Sequence, residues 1–355
     1  MRATLRPSAC VAALHEEEAM SSLHRLTTIG TLALATCALW AACFVGVAAA
    51  SVDYGSVSFV NQSAGWIAGI DDQSYNTEVW RTTDGGLDWT KVGSSIAAGA
   101  GVDWVAFVSP TAGVWGNGSI VRTMDGGDTW LPAVVTSSGI FNEASFASAI
   151  RGWAGYSNGT SESGGGVAVT KDGGATWTRQ LDRPGPDGSG GFSRVSAATK
   201  LRCYVLKWGR NGGVYATTNA GSAWTRHALP AIRGSFKFYW DLDFPAARTG
   251  WAVGDSGRIV KTTDGGQTWT KQRSGVTTAL AAVDFVDAKV GYVVGKSGRI
   301  LRTGDGGAHW VKQQSGTAKD LTAVSFVDRT HGWAVGANGA LLRTANGGQS
   351  WEGQH

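Results

Sequence analysis

One short motif recurs seven times along the chain. It has the form Thr-x-Asp/Asn-x-Gly-x-x-Trp and ends at Trp89, Trp130, Trp177, Trp224, Trp269, Trp310 and Trp351. Successive copies are 41, 47, 47, 45, 41 and 41 residues apart. A period in the forties, with four short strand signals in each unit, is typical of propeller blades. The repeat therefore predicts an all-β fold, a seven-bladed β-propeller built on these hairpins.

The last unit shows the strand signals most clearly. Leu321–Val327 alternates as an inner strand, Gly332–Gly336 follows as the second, and Ala340–Thr344 as the third. The motif then turns the chain into a fourth strand near Trp351. Seven such sheets can close into a ring that exposes only short edges. We expect the ring to close without exchange of a terminal strand.

The acidic position of the motif invites a catalytic interpretation. Its residues are Asp84, Asp125, Asp172, Asn219, Asp264, Asp305 and Asn346. A hairpin loop needs glycines that reach positive φ, and a short side-chain acceptor can bind the loop amides. A catalytic carboxylate is needed once, whereas this position recurs in every unit and is twice Asn. We therefore predict a structural role for all seven.

Composition agrees with short strands and tight turns. The 355 residues include 52 glycines and 17 tryptophans, and only 16% are charged. Disordered chains lack aromatic residues. The net charge of +4 is too small and too dispersed to indicate nucleic-acid binding.

Residues 1–50 read as a leader that precedes the propeller, residues 51–355. Leu26–Val47 is almost continuously apolar, and Ala48–Ala50 suits cleavage. The leader is a signal peptide or an uncleaved N-terminal anchor, and Met20 is an alternative start. Either form predicts export of the propeller across a membrane.

The motif is the Asp-box, or bacterial neuraminidase repeat. Together with "GWAVGDSGRIVKTTDGGQTW" (Gly250–Trp269), it resembles the photosystem II stability and assembly factor family. The resemblance covers essentially all of residues 51–355 and is strongest over 240–351. It implies a non-enzymatic assembly factor, and we also expect a monomer without cofactor or metal. Such a factor holds a newly made photosystem II precursor subunit in the thylakoid lumen or at its membrane.

Two other functions stay open. The same blade occurs in secreted and periplasmic proteins of non-photosynthetic organisms, so an exported glycan- or protein-binding propeller is the alternative. The acidic run Glu16–Glu18 is also unlike a plastid transit peptide. A sialidase-like glycosidase is a third possibility. It is disfavoured because the chain has no Arg-Ile-Pro stretch, HExxH, Gly-x-Ser-x-Gly or Walker motif.

Basic residues recur near the Asp-box in most of the repeats. The position before the motif threonine is basic in five of seven units, and two further bases stand in the preceding turns. These candidates are Arg81, Arg122, Arg258, Lys261, Arg299, Arg302 and Arg343. Their stems can cover apolar surface while their heads pair with box carboxylates. Alternatively, they form a basic crescent that binds an acidic or carboxylate-ended peptide. The family resemblance, which implies a basic surface patch, makes Lys261, Arg302 and Arg343 candidate equivalents.

A second polar set falls on the predicted inner strands. Glu143, Arg194 and Asp241 come from adjacent units, with Asp243 and Asp284 nearby. We expect these side chains to meet near a central channel. They are interpreted either as ordinary lining of a wet channel or as a ligand or cation site.

Overall fold

The computed structural model describes residues 52–71, 76–93, 104–136, 139–158, 164–183, 191–208, 212–234 and 238–354. The predicted leader, residues 1–50, lies outside these ranges. In the part of the chain described, no helix is long and apolar enough to cross a membrane.

The described strands form seven sheets, and the prediction of a seven-bladed, all-β propeller is confirmed. Blade 1 contains β1–β4 (Val52–Phe59, Gly65–Asp71, Thr77–Thr82, Thr90–Lys91) and blade 2 β5–β8 (Trp104–Phe107, Gly113–Asn117, Ser119–Thr123, Leu131–Pro132). Blade 3 contains β9 (Val134–Val135) and β10–β13 (Ile140–Phe146, Gly152–Ser157, Gly165–Thr170, Thr176–Arg183). Blade 4 contains β14–β17 (Phe192–Ser196, Cys203–Lys207, Gly213–Thr217, Thr225–His227). Blade 5 contains β18–β21 (Tyr239–Asp243, Gly250–Gly254, Arg258–Thr262, Thr270–Gln272) and blade 6 β22–β25 (Leu280–Phe285, Gly291–Gly295, Arg299–Thr303, Val311–Gln313). Blade 7 contains β26–β29 (Leu321–Phe326, Gly332–Gly336, Ala340–Thr344, Glu352–Gly353).

In each blade the four main strands follow one another as an antiparallel meander. The loops between first and second strands, and between third and fourth, lie on one side of the ring. This side carries the Asp-boxes and is called the box face. The turns between second and third strands, and the links between blades, lie on the opposite side, the turn face. Blade 3 has a fifth strand, because β9 pairs in parallel with β13.

Aromatic stacking joins most neighbouring blades. In blade 5, Trp251 lies fully buried on the second strand and stacks on Phe285 of the next inner strand, with ring centroids 3.6 Å apart. Phe285 in turn meets the edge of Trp310, the box tryptophan of its own blade. A Cβ at Gly291 would lie 2.4 Å from the Phe285 ring. In the recurrent Gly-aromatic pair, the glycine therefore leaves space for the inner-strand phenylalanine of its own blade. The aromatic residue that follows it stacks on the phenylalanine of the next blade.

The ring closes with the same contact. Trp333 of blade 7 stacks on Phe59 of blade 1 at 3.4 Å, and its indole N–H donates to the Gly85 carbonyl at 2.8 Å. The Thr322 hydroxyl also donates to the Tyr54 carbonyl at 2.6 Å. Each described sheet takes its strands from one continuous stretch of chain, so side chains and not an exchanged strand close the ring.

The inner strands carry a β-bulge near their start. It occurs in six described blades, and the residues that it leaves unpaired are Gly55, Asn142, Ser193, Trp240, Ala281 and Thr322. A bulge inserts one extra residue and re-aims the next side chain. In blades 3, 4 and 5 the residue after the bulge is Glu143, Arg194 or Asp241, one of the predicted channel residues.

Candidate functional site

The Asp-box loops hold their own backbone. In blade 5, Thr262 accepts the Gly266 amide at 2.9 Å and donates to Asp264 at 2.8 Å. Asp264 accepts both the amide and the hydroxyl of Thr268. These bonds, the hydroxyl of Thr268 first, lower the pKa of Asp264 to about 2. The carboxylate is therefore fully used within the loop, and the other boxes repeat the threonine–acceptor pair around Asp84, Asp125, Asp172, Asn219, Asp305 and Asn346.

Bases before the box lie between blades. Lys261 pairs across the sheet with Trp251, its ammonium lies 5.0 Å from the ring centroid, and it donates to the Gly306 carbonyl of the next box at 2.9 Å. Arg81 likewise reaches the next box, 3.0 Å from Asp128. Arg302 donates to the Tyr292 hydroxyl at 3.3 Å. These heads and stems cover the buried aromatic residues and bind the neighbouring loop.

The predicted crescent is thus divided between two faces. Arg81, Arg122, Lys261, Arg302 and Arg343 stand next to the boxes, at the end of each third strand. Arg258 and Arg299 begin their third strands and therefore lie toward the turn face. The first group is arranged at the interfaces between blades, and only the second borders an open groove.

The groove lies on the turn face between blades 5 and 6 and has a volume of about 950 Å³. Five bases line it, namely Arg258, Lys271, Arg273, Arg299 and Lys312, and none of its described lining residues is acidic. None of these bases forms an ion pair with an acidic residue within the described ranges. We call it the basic groove. Its unneutralised charge favours an anionic ligand.

Sequence reasoning placed two of these five bases among its candidates and missed three. Lys271, Arg273 and Lys312 lie on the fourth strands or directly after them, where the box motif gives no register for comparison. Counting the charged residues in each repeat of the sequence could have found these three bases. The segment from Arg258 to Lys312 holds nine Lys or Arg residues against four Asp, and five of these bases line the groove.

The channel residues do come together. Arg194 lies 3.5 Å from Glu143 and 3.8 Å from Asp241, so three adjacent blades contribute one ionic cluster. Glu143 and Arg194 each keep about a quarter of the side chain exposed, 26% and 24%, to a channel of about 600 Å³. Asp243 and Asp284 lie along the same channel.

Each channel carboxylate also binds the next blade. Glu143 accepts the Val195 amide at 2.6 Å, and Asp241 accepts the Val283 amide at 2.9 Å. Serines fill the same role elsewhere in the ring. The remaining acceptor–amide pairs are Ser56–Val105, Ser58–Phe107, Ser145–Ala197, Ser196–Phe244, Asp243–Phe285, Asp284–Phe326 and Ser325–Phe59. These inner-strand acceptors, which we call the channel row, therefore bind neighbouring inner strands to each other through side chain–backbone hydrogen bonds.

Burial dominates the electrostatics of this row. It raises the pKa of Glu143 to about 7 against the opposing charge of Arg194, and it raises the pKa of Asp284 to about 7. The pKa of Asp241 rises to about 6 for the same reason, with Arg194 again opposing. For Asp243, burial and then the nearby Asp284 raise the pKa. Among the described residues no cluster of three or more acidic, histidine or cysteine side chains is arranged to hold a metal ion.

Comparison with known proteins points to one family. The family model for the photosystem II assembly factor YCF48 matches residues 234–314 and 309–355. The chain is similar to YCF48. The resemblance predicted from the Asp-box units is thereby confirmed. The match spans blades 5 to 7 and includes the basic groove. No curated protein sequence is significantly similar to the chain.

Solved structures show the fold more widely. A YCF48 bound to D1 peptide is 17% identical with a TM-score of 0.65, over 84% of this chain and 95% of that one. YCF48 from Cyanidioschyzon merolae is 18% identical with a TM-score of 0.64, over 84% and 96%. A GH74 xyloglucanase from Xanthomonas campestris is 12% identical with a TM-score of 0.54, over 84% and 66%. At these identities the likeness establishes the propeller fold, which an enzyme also uses.

Proposed function

We propose that this chain is a non-enzymatic binding propeller that holds an acidic or carboxylate-ended segment of a membrane-protein partner during assembly. The basic groove carries the proposal, because five bases converge there without an acidic partner among the described residues. The YCF48 match over the residues of this groove supports a photosystem II precursor subunit as the partner.

The channel supports binding over catalysis. A glycosidase needs two carboxyl groups that are free to exchange protons with a substrate. Glu143 and Asp241 instead hold amides of neighbouring blades and share Arg194. Their contacts are those of a structural row.

The leader completes the proposal. Export through residues 1–50 delivers the propeller to the thylakoid lumen in a photosynthetic organism, and to the periplasm or the exterior otherwise. The leader or the partner then keeps the propeller, a monomer, at the membrane surface.

Charge reversal in the groove tests the proposal. The ligand is a fluorescent synthetic peptide with an acidic tail and a free terminal carboxylate. The double variant Arg273→Glu/Lys312→Glu of the full chain should weaken binding at least about tenfold, and added salt should weaken wild-type binding further.

A matched control separates this effect from net charge. Lys289→Glu together with Lys296→Glu changes the charge equally without touching the groove, since neither residue lines it. Binding should then stay close to that of the wild type. Equal losses in both double variants, or binding that ignores the peptide's acidic tail, would refute the groove as the docking site.

A further inference from the structure

The turn face also carries an aromatic cleft, which shares no lining residue with the basic groove. The cleft has a volume of about 360 Å³ and lies where blades 3, 4 and 5 meet. Its walls include Trp208, Phe238, Tyr239 and Trp240. Trp208 and Trp240 are 39% and 45% exposed, and they are the exposed tryptophans of the described ranges. Two large rings left open in one concavity indicate a binding surface.

Trp240 occupies a position that the repeat otherwise gives to small or polar residues. It is the unpaired residue of the blade 5 bulge, where the other described bulges carry Gly, Asn, Ser, Ala or Thr. Its indole N–H donates to Asp255 at 2.9 Å, and Phe238 meets its ring edge-on at 5.9 Å. The ring is therefore oriented before any ligand arrives, which lowers the entropic cost of binding.

Most side-chain donors on the cleft floor are already engaged. Asn142 donates to the Phe192 carbonyl at 2.8 Å and to the Ser157 hydroxyl, and Ser193 donates to the Leu206 carbonyl. Arg194 is held by Glu143 and by the Trp240 carbonyl. A sugar needs partners for its hydroxyl groups, since unpaired polar groups are costly to bury. This floor favours an apolar side chain instead.

Asp255 connects the cleft with the basic groove. Its carboxylate holds both the Phe238 amide and the Trp240 indole. The residues that follow it, Ser256 to Arg258, form a wall of the groove. Arg258 is also close enough to oppose the rise in the pKa of Tyr239, which burial brings to about 12. An extended peptide can therefore cross from the rings of the cleft to the bases of the groove.

We infer that the cleft is the apolar half of one docking surface, and that it takes a large aromatic or aliphatic side chain of a peptide whose acidic segment lies in the basic groove. This inference rests on the proposed function for the acidic half. A buried aromatic anchor beside a charged rim is the usual arrangement of an energetically important contact. Asp255 bonds Trp240 of the cleft and directly precedes Ser256 of the groove, so the two sites lie within reach of one peptide.

Matched peptides test the two halves separately. One series ends in an acidic tail and carries Phe at varied spacing from it; a second replaces Phe with Ala, and a third replaces the acidic residues with Asn and Gln. At the best spacing the Phe peptide should bind the full chain at least about tenfold more tightly than the Ala peptide. Trp240→Ala and Trp208→Ala should each remove that difference.

Controls guard against loss of fold and against other ligands. Trp208→Phe keeps a ring and should retain most of the Phe preference. Leu131→Ala, an exposed apolar residue far along blade 2, should leave it unchanged. Arg273→Glu/Lys312→Glu should remove the preference for the acidic tail but keep the preference for Phe. Thermal melts identify any variant that has unfolded.

The outcomes separate the inference from the proposed function. Binding that depends on the acidic tail but not on Phe overturns the cleft and leaves the groove. Binding that depends on Phe but not on the tail supports the cleft and overturns the groove. No binding of any peptide at millimolar concentration overturns both. Saturable binding of a xyloglucan oligosaccharide that Trp240→Ala abolishes replaces the apolar anchor with a glycan site.

Discussion

Blades 5 to 7 and blades 3 and 4 are built from one repeat but joined differently. The interfaces 4/5, 5/6, 6/7, 7/1 and 1/2 each contain a face-to-face aromatic pair with centroids 3.4–3.6 Å apart. Within the described residues the interfaces 2/3 and 3/4 lack it. Val114 stands in place of the second-strand ring, and Ala197 in place of the inner-strand phenylalanine.

Other contacts take over where the stack is missing. The Trp104 indole donates to the Phe141 carbonyl at 2.9 Å across interface 2/3, and β9 extends the edge of blade 3. At interface 3/4, the Arg151 guanidinium lies 5.1 Å from the Trp153 ring centroid and donates to the Ala220 carbonyl. Five interfaces thus share one stacked aromatic pair, whereas interfaces 2/3 and 3/4 each use different contacts. The aromatic cleft and the ionic channel cluster both extend across blades 3, 4 and 5, and so involve the irregular interface 3/4 as well as the regular interface 4/5.

The largest effect should come from removing one ring of a stack. Phe285→Ala should lower the free energy of unfolding by about 3–5 kcal/mol, because the ring fills the space between Trp251 and Trp310. Phe146→Ala, its counterpart in blade 3, should cost clearly less, since Phe146 is only half-buried and has one ring contact among the described residues, edge-on with Trp177. Urea unfolding of the full chain measures both. Equal losses would show that the stack has no special weight.

Acidity should affect the channel and the boxes in opposite directions. Glu143 and Asp284 have raised pKa values, so protonation of these carboxyl groups favours the folded state. Their contribution to stability is complete below pH 4 and is lost as the pH rises through about 7. The lowered pKa of Asp264 contributes stability above pH 4 that is lost as pH falls through about 2. The melting temperature should therefore fall by several degrees between pH 5 and pH 8.

Neutral variants isolate the channel contribution. Asp284→Asn should flatten the fall between pH 5 and pH 8, because it keeps an acceptor for the Phe326 amide without a charge. Asp264→Asn should leave this part of the profile unchanged. If both variants flatten it alike, the pH dependence does not come from the channel row.

The two faces should separate stability from binding. Lys261→Ala should cost about 1–2 kcal/mol of unfolding free energy, because it removes the hydrogen bond to Gly306 and the contact with Trp251. It should leave binding of the acidic peptide unchanged. Arg273→Ala should weaken that binding and leave stability within about 0.5 kcal/mol. Peptide titration and urea unfolding of both variants check this contrast.

The same contrast tests the crescent predicted from the repeat. Reversing Arg302 and Arg343 together should lower stability more than it lowers affinity, since Arg302 contacts Tyr292 at the blade interface. If this variant lost peptide binding but kept the unfolding profile of the wild type, the docking surface would lie on the box face.

Sequence periodicity predicted the fold well, because each blade repeats the glycine, the ring and the box at fixed offsets. The inner-strand alignment also brought Glu143, Arg194 and Asp241 together, since neighbouring blades place equivalent positions side by side. The repeat could not show that Lys261 ends on the box of the next blade, because that contact depends on how blades pack. The repeat also gave no sign that Trp240 is exposed, because that exposure depends on a β-bulge in the inner strand, outside the Asp-box motif.

The smallest effect should come from the box acid itself. Asp264→Asn should change the free energy of unfolding by at most about 0.5 kcal/mol, because Asn346 already holds the equivalent loop: it accepts the Ser350 amide at 3.0 Å and donates to the Ser350 hydroxyl at 2.8 Å. Asp264→Ala should cost about 1 kcal/mol or more, since the Thr268 amide then loses its acceptor. Urea unfolding ranks the two variants. A cost for Asn as large as that for Ala would mean that the charge, and not the acceptor, shapes the loop, and that the Asn-bearing blades 4 and 7 hold their boxes differently.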